Sequence, residues 1–403
     1  MVTSSERMRA WTGPAVLSYG FRPLFLLAGF WACLAMVVWI LMLAGEVDLA
    51  TAFDPISWHA HEFLWGYLGA VIGGFLLTSV PNWTGRLPIV GWPLAGLVAL
   101  WLAGRVAVVM SADFPPLLVA LIDLSFQSVL ALALLREIIA GKNWRNLKVI
   151  GLLALFIAMN SLFHWEAAQG SSPADSVATR GGIAVAVMLI ALIGGRVVPS
   201  FTRNWLAKNQ PGGRMPAPLG RVDFVALWIS AIALVSWVAL PEAKATGMVC
   251  GLAGIVNLWR LSRWTSWRTR AEPLLWVLHL GFLFVPLGFL LVGSAALWPQ
   301  VFPTTGAMHG WLVGAIGIMT LAMMTRATLG HTGRPLSSDR VTTAVFVLIL
   351  VATLARIVAG FMPGQMVLID IAGLAWVLAF GGFAVSYAPL FLMPREIAGR
   401  KPA

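Results

Sequence analysis

Charge is what this sequence has least of: 11% of its 403 residues are Asp, Glu, Lys or Arg, against 59% that are hydrophobic. A soluble protein carries about a quarter charged residues, so this set is too small to cover a water-facing surface. Long polar stretches are missing too, which excludes a disordered chain and leaves connections too short for a soluble domain. The two cysteines, Cys33 and Cys250, each sit inside an apolar run and read as small apolar fillers. A disulfide framework, a C-x-x-C redox pair and a C-x-x-C-H haem attachment are excluded. No Walker loop and no zincin motif occurs. Acids are scarcer than bases, 16 against 27, and the surplus of +11 suggests nucleic acid only until the cations are placed along the chain.

What is present is apolar length. A helix needs about 20 apolar residues to cross a bilayer, and polar punctuation divides the chain into twelve runs. They are Phe21–Ala44, Pro55–Val80, Gly91–Met110, Pro116–Ile139, Leu147–Ala168, Gly181–Phe201, Val222–Leu240, Thr246–Leu261, Pro273–Ala296, Ala307–Leu329, Val341–Phe361 and Gln365–Leu392. The expected fold class is an all-α integral membrane protein with twelve transmembrane helices in one polytopic membrane domain, its first partner the lipid bilayer. The first run is too long for the apolar region of a cleavable signal, and no A-x-A site follows it.

Lys and Arg set the orientation. With the N-terminus inside, Arg7, Arg9, Arg22, Arg86, Arg136, Lys142, Arg145 and Lys148 fall on the inner side. So do Arg196, Arg203, Lys208, Arg214, Arg221, Arg260, Arg263, Arg268, Arg270, Arg326, Arg334, Arg340, Arg395, Arg400 and Lys401. Only Arg105, Arg180, Lys244 and Arg356 fall outside. The positive charge is therefore a topology signal, with both termini cytoplasmic, and no nucleic-acid partner is expected. Trp58, Trp83, Trp92, Trp144, Trp165, Trp205 and Trp298 cluster near run ends, as interface anchors do.

A weak repeat runs through the chain. Superposing Asn82-Trp83 on Asn204-Trp205, and Thr202-Arg203 on Thr325-Arg326, aligns the second, sixth and tenth runs. It divides the chain into three tandem four-helix blocks at about 20–140, 141–265 and 266–395.

All six histidines lie in the runs or at their ends: His59 and His61 in WHAHE, His164 in FHWE, His279 in VLHLG, His309 in AMHGW and His331 in LGHTGR. This topology places His59, His61, His164 and His309 together near the outer face, and His279 with His331 toward the inner one. A single intramembrane histidine reads as bonded to a neighbouring carbonyl or placed at water. A set of them points to metal ligation, because ionisable groups in a membrane are costly and neutral imidazole is the commonest transition-metal ligand. His59 and His61 stand about 200° apart around a helix, so they suit two neighbouring sites rather than one. Arg105 with Asp123, and Arg356 with Asp370, form a matched pair of intramembrane charges. Two readings stand: structural ion pairs between adjacent helices, or arginines that hold the propionates of a haem whose iron meets the outer histidines. Glu62 and Glu166 sit where carboxylates orient imidazoles.

The segments GFRPLFLL from Gly20, WHAHEFLWGYLGAVIGGFLLTSVPNWTGR from Trp58, HLGFLFVPLG from His279, and His309 through MTRATLGHTGRPL to Leu336 resemble the NnrS family. The resemblance covers nearly the whole chain. It implies a twelve-span protein of the bacterial cytoplasmic (inner) membrane that contains haem (haem b) and copper and is linked to nitric oxide metabolism or nitrosative stress. Its implied partners are nitric oxide or its iron complexes and an unidentified electron donor. The matching histidines are His59, His61, His279, His309 and His331, with His164 in a less distinctive stretch. Subunit I of haem–copper oxidases offers only a distant analogy. There is no H-x-x-x-Y and no paired His-His, and Tyr67 alone of three tyrosines stands near a histidine. Tyr67 thus joins Glu62, Arg105 and Arg356 as candidate cofactor-binding residues. A haem-dependent nitric oxide oxidoreductase, a permease using the same histidines transiently, and a membrane sensor are the competing functions. Short loops give a sensor the least surface for output.

Overall fold

The computed structural model describes residues 11–394, and every regular element among them is helical. The long helices are α1 (Phe21–Leu43), α2 (Pro55–Thr84), α3 (Trp92–Val109), α4 (Pro116–Ala140), α5 (Leu147–Ala168) and α6 (Val177–Asn209). They continue as α7 (Arg221–Ala239), α8 (Lys244–Ser262), α9 (Pro273–Leu297), α10 (Thr304–Thr332), α11 (Arg340–Phe361) and α12 (Met366–Leu392). Several start where the sequence supplies a helix signal: Asp54 then Pro55, Glu272 then Pro273, and Asp339 each accept bonds from the first free backbone N–H groups. Eleven of the twelve are long and apolar enough to cross a bilayer. The expected eighth span, α8, falls short because Lys244, Gly247, Gly251, Gly254, Asn257 and Arg260 dilute its apolar content. Its glycines serve packing instead, and Gly247 and Gly254 lie against the backbone of α9 at Gly293 and Pro286.

The chain forms two compact units. One takes the described residues up to Gly182, Ala327–Pro335 and the described residues from Phe380 on; the other takes Ile183–Arg326 and Leu336–Ala379. Their boundaries fall within α6, α10 and α12 and in the connection between α10 and α11. In the first unit, Arg22 at the start of α1 donates to the carbonyls of Phe391 and Met393 at the end of α12, at 3.0 and 2.7 Å. In the second, the Trp311 indole donates to Val285 and ties α10 to α9.

Helices α2, α6 and α10 are the most buried of the eleven. Each contains a π-helical stretch, over Glu62–Leu68, Ile190–Gly194 and Gly310–Gly317. A π turn lengthens the hydrogen-bonding loop and leaves carbonyls for other donors. The Trp101 indole takes that of Gly66 at 2.9 Å.

Some expectations shift with burial. Trp92, Trp144, Trp165 and Trp298 are exposed as anchors should be, but Trp58 is buried, because it lies on the inner face of α2. Arg22, Arg105, Arg260 and Arg326 are buried, so four of the cations in the topology pattern are internal partners rather than interface charges. Arg7, Arg9, Arg395, Arg400 and Lys401 lie outside the described residues. Cys33 and Cys250 are free thiols, Cys250 fully buried.

Candidate metal centre

The centre is assembled in the first unit at the start of α2. Asp54 caps the helix, accepting from the N–H groups of Ile56 and Ser57 at 3.0 Å, and its second oxygen accepts from Ser57 and Ser172. Burial alone would raise the pKa of this carboxyl, but those four bonds outweigh it and hold it below the usual value. The cap fixes the first turn of α2, and with it the direction of His61 one and a half turns on.

His61 is fully buried and points at α4 and α5. Its Nδ1 donates to Glu62 Oε1 at 3.0 Å. Its Nε2 stands 3.2 Å from Asp123 Oδ2 and 3.2 Å from Asn160 Oδ1. His164 brings its own Nε2 to 3.1 Å from the same Asp123 oxygen. The two imidazole rings meet edge to face, with centroids 5.1 Å apart. His61, Asp123 and His164 offer one ligand atom each, and all three atoms lie within 4.8 Å of one another. If the His61 proton sits on Nδ1 toward Glu62, its Nε2 lone pair faces two oxygens. A metal ion at Nε2, or a second proton there that makes the imidazole a donor to Asp123, satisfies such electron-rich convergence in a dry interior.

Further contacts hold these groups in place. Arg105 donates from one terminal nitrogen to Glu62 Oε1 and from the other to Asp123 Oδ1. Asn160 donates to Asp123 Oδ2 at 2.7 Å. Asp123 therefore gives one oxygen to the guanidinium and turns the other toward the histidines. Glycine at 104 permits this approach of α3 to α4, because a Cβ there would lie 3.0 Å from Asp123 Oδ1. Phe53, Trp65 and Phe163 close over the imidazoles, with ring centroids 5.3–5.6 Å from His61. Water is excluded, so charge interactions inside are strong.

The remaining candidates go elsewhere. His59 does not join the centre. It stacks on Trp39 at 4.0 Å and packs against Phe63, as a residue about 200° from His61 must. His309 belongs to the second unit, where its Nδ1 donates to the Thr305 carbonyl at 2.6 Å. Of the expected outer four, His61 and His164 share this cluster. His279, also in the second unit, bonds Thr202, whose hydroxyl is committed to the Val198 carbonyl. His331 sits between the rings of Tyr19 and Phe21 in the first unit. Tyr67 is buried against Phe63 and Phe380. Glu166 is half-buried and bonds no histidine among the described residues. The second charge pair does not form. Arg356 is half-buried, Asp370 is exposed on α12, and no ion pair joins them among the described residues. No glycine opposite Asp370 draws the two helices together as Gly104 does at Asp123.

Two features escaped the reading of the sequence. Asn160 lies one turn before His164 on α5, and that i, i+4 spacing in MNSLFH was the available signal. Asp123 was named as the partner of Arg105, but its second oxygen also faces both histidines and is the candidate carboxylate ligand.

Comparison with known proteins follows this geometry. The family model described as NnrS protein matches residues 15–395, so the chain belongs to the NnrS family. None of the curated proteins matches it.

Proposed function

We propose that this NnrS-family chain is a membrane protein that holds one transition-metal ion between His61, Asp123 and His164 and acts in nitric oxide metabolism or protection from nitrosative stress. The observation that carries this reading is the convergence of two imidazole Nε2 atoms on one carboxylate oxygen, at 3.2 and 3.1 Å, with all three ligand atoms within 4.8 Å of one another and buried. Metal–ligand bonds of about 2.0–2.2 Å put neighbouring ligand atoms roughly that far apart. Two histidines and one carboxylate suit iron(II) or copper(II), and Glu62 beneath Nδ1 completes the usual carboxylate–histidine–metal chain. Copper, implied by the family, fits this donor set.

Haem b does not fit at this position. Both terminal nitrogens of Arg105 already serve carboxylates, and Asp123 and Asn160 fill the space between the imidazoles where a porphyrin would lie. A haem b is better sought at His59 with Tyr67 in the first unit, or at His309 with Arg356 in the second. A metal bound at the centre would supply a coordination position and an exchangeable electron for nitric oxide. The chain's own part is to orient His61 through Glu62, to balance charge through Arg105 and to keep water out with Phe53, Trp65 and Phe163. Family membership supports a setting in the bacterial inner membrane with an external electron donor.

The test is electron paramagnetic resonance of purified protein before and after nitric oxide, for the native chain and His164→Ala. A metal signal that changes with nitric oxide and is absent from the variant supports the reading. A signal unchanged by nitric oxide, or unaltered in the variant, overturns it.

A further inference from the structure

Away from the metal centre, the first unit contains a crevice of about 700 Å³. It lies where the segment 85–91 crosses from the end of α2 to α3, alongside the end of α4. This is the size of a pocket for a sizeable organic ligand. Its lining is about half apolar, and the apolar half is formed by Pro88, Ile89, Leu97 and Val129 among others. Val129 is exposed on α4, a helix apolar enough to span a bilayer, so the apolar end of the crevice opens on the hydrocarbon side.

The polar end is built differently. Glu137 accepts from Arg86 and, at 2.8 Å, from Arg136, and its own side chain is 11% exposed. The two arginine side chains are 43% and 70% exposed. One carboxylate between two arginines leaves a net positive charge at the mouth, presented by planar forks that match phosphate oxygens. An apolar slot ending in excess arginine matches a ligand with an acyl chain and an anionic head. A zwitterionic lipid brings its own cation to the same place and gains less. A free phosphate ignores the apolar wall.

We propose that this crevice is a binding site for an anionic phospholipid, with its phosphate at Arg86 and Arg136 and an acyl chain along Leu97 and Val129. The proposal is independent of the metal centre and stands or falls without it. The test delipidates the full-length protein, exchanges it into nanodiscs of equal phosphatidylglycerol and phosphatidylcholine, and counts retained lipid by native mass spectrometry. The native chain is expected to enrich phosphatidylglycerol. Arg86→Gln with Arg136→Gln reverses the charge left at Glu137 and is expected to lower that retention by about tenfold. Ala133→Trp, which fills the apolar wall while keeping both arginines, is expected to lower it as well. Unchanged thermal unfolding in both variants shows that they are folded. Equal retention of the two lipids by the native chain overturns the proposal, as does undiminished retention in the double variant. Displacement of the lipid by inorganic phosphate alone also overturns it, because the site is then one for the free anion.

Discussion

Two buried Arg–Asp pairs, one in each unit, make an instructive contrast. In the first unit Arg105 of α3 meets Asp123 of α4; in the second Arg260 of α8 meets Asp223 of α7 at 2.8 Å. Both arginines are buried, both lie near a tryptophan, Trp101 or Trp264, and both face a glycine of a π-containing helix, Gly66 or Gly195. The difference is what the aspartate has left to offer. Asp223 spends its second oxygen on the Gly220 N–H at the start of α7, with Arg263 behind it, and Arg260 turns to the Ala191 carbonyl. Both oxygens of that aspartate are engaged within the protein. Asp123 caps no helix, so its second oxygen is available to His61, His164 and Asn160. The ion pair is scaffolding in both units, and the histidines turn one of them into a chemical site.

That contrast is broken most sharply at the aspartates. Asp123→Ala is expected to strand Arg105 beside Glu62 alone, to cost on the order of 3–5 kcal/mol of stability, and to abolish metal binding. Asp223→Ala should cost a similar amount for Arg260 while the metal stays. Thermal unfolding and metal content of the two variants read both halves, and loss of metal in Asp223→Ala would remove the distinction.

At the histidines the effect is chemical rather than structural. His61→Ala and His164→Ala are expected to lose the metal with a folded protein remaining, whereas His59→Ala, whose ring stacks on Trp39, should keep the first centre loaded. Metal analysis after gel filtration decides it. A smaller effect is expected from Glu62→Gln, which keeps the shape but weakens the support of His61 Nδ1. Metal affinity should fall by roughly 10–100-fold, measured by competition with a chelator.

The smallest effect lies at Asp54. Its folded carboxyl is held below the usual value, so its contribution is complete above that value and disappears as pH falls through the depressed one. Asp54→Ala should cost about 1 kcal/mol at neutral pH and flatten the acid limb of the unfolding midpoint against pH. An unchanged acid limb would show that another carboxyl governs it.

The helices were legible because apolar length is a direct consequence of bilayer thickness: the expected span Pro273–Ala296 and α9 (Pro273–Leu297) differ by one residue. The π stretches were not, since no side-chain pattern in EFLWGYL distinguishes a widened turn from an ordinary one. His61 was legible as chemistry, but its partners were set by α4 and α5, distant in sequence. Arg260 was counted among the inner-side cations and Asp223 was not singled out, for a related reason. Each stands near a helix end, where charges usually meet water, and only the packing of α7 on α8 shows them buried.

The central claim is that His61, Asp123 and His164 together hold one metal ion. Metal-edge X-ray absorption of the purified protein, with metal quantified per chain, tests it most directly. The account predicts one ion with mixed nitrogen and oxygen ligands, retained in Asp223→Ala and absent from His61→Ala and His164→Ala. A full complement of metal in either histidine variant would contradict it.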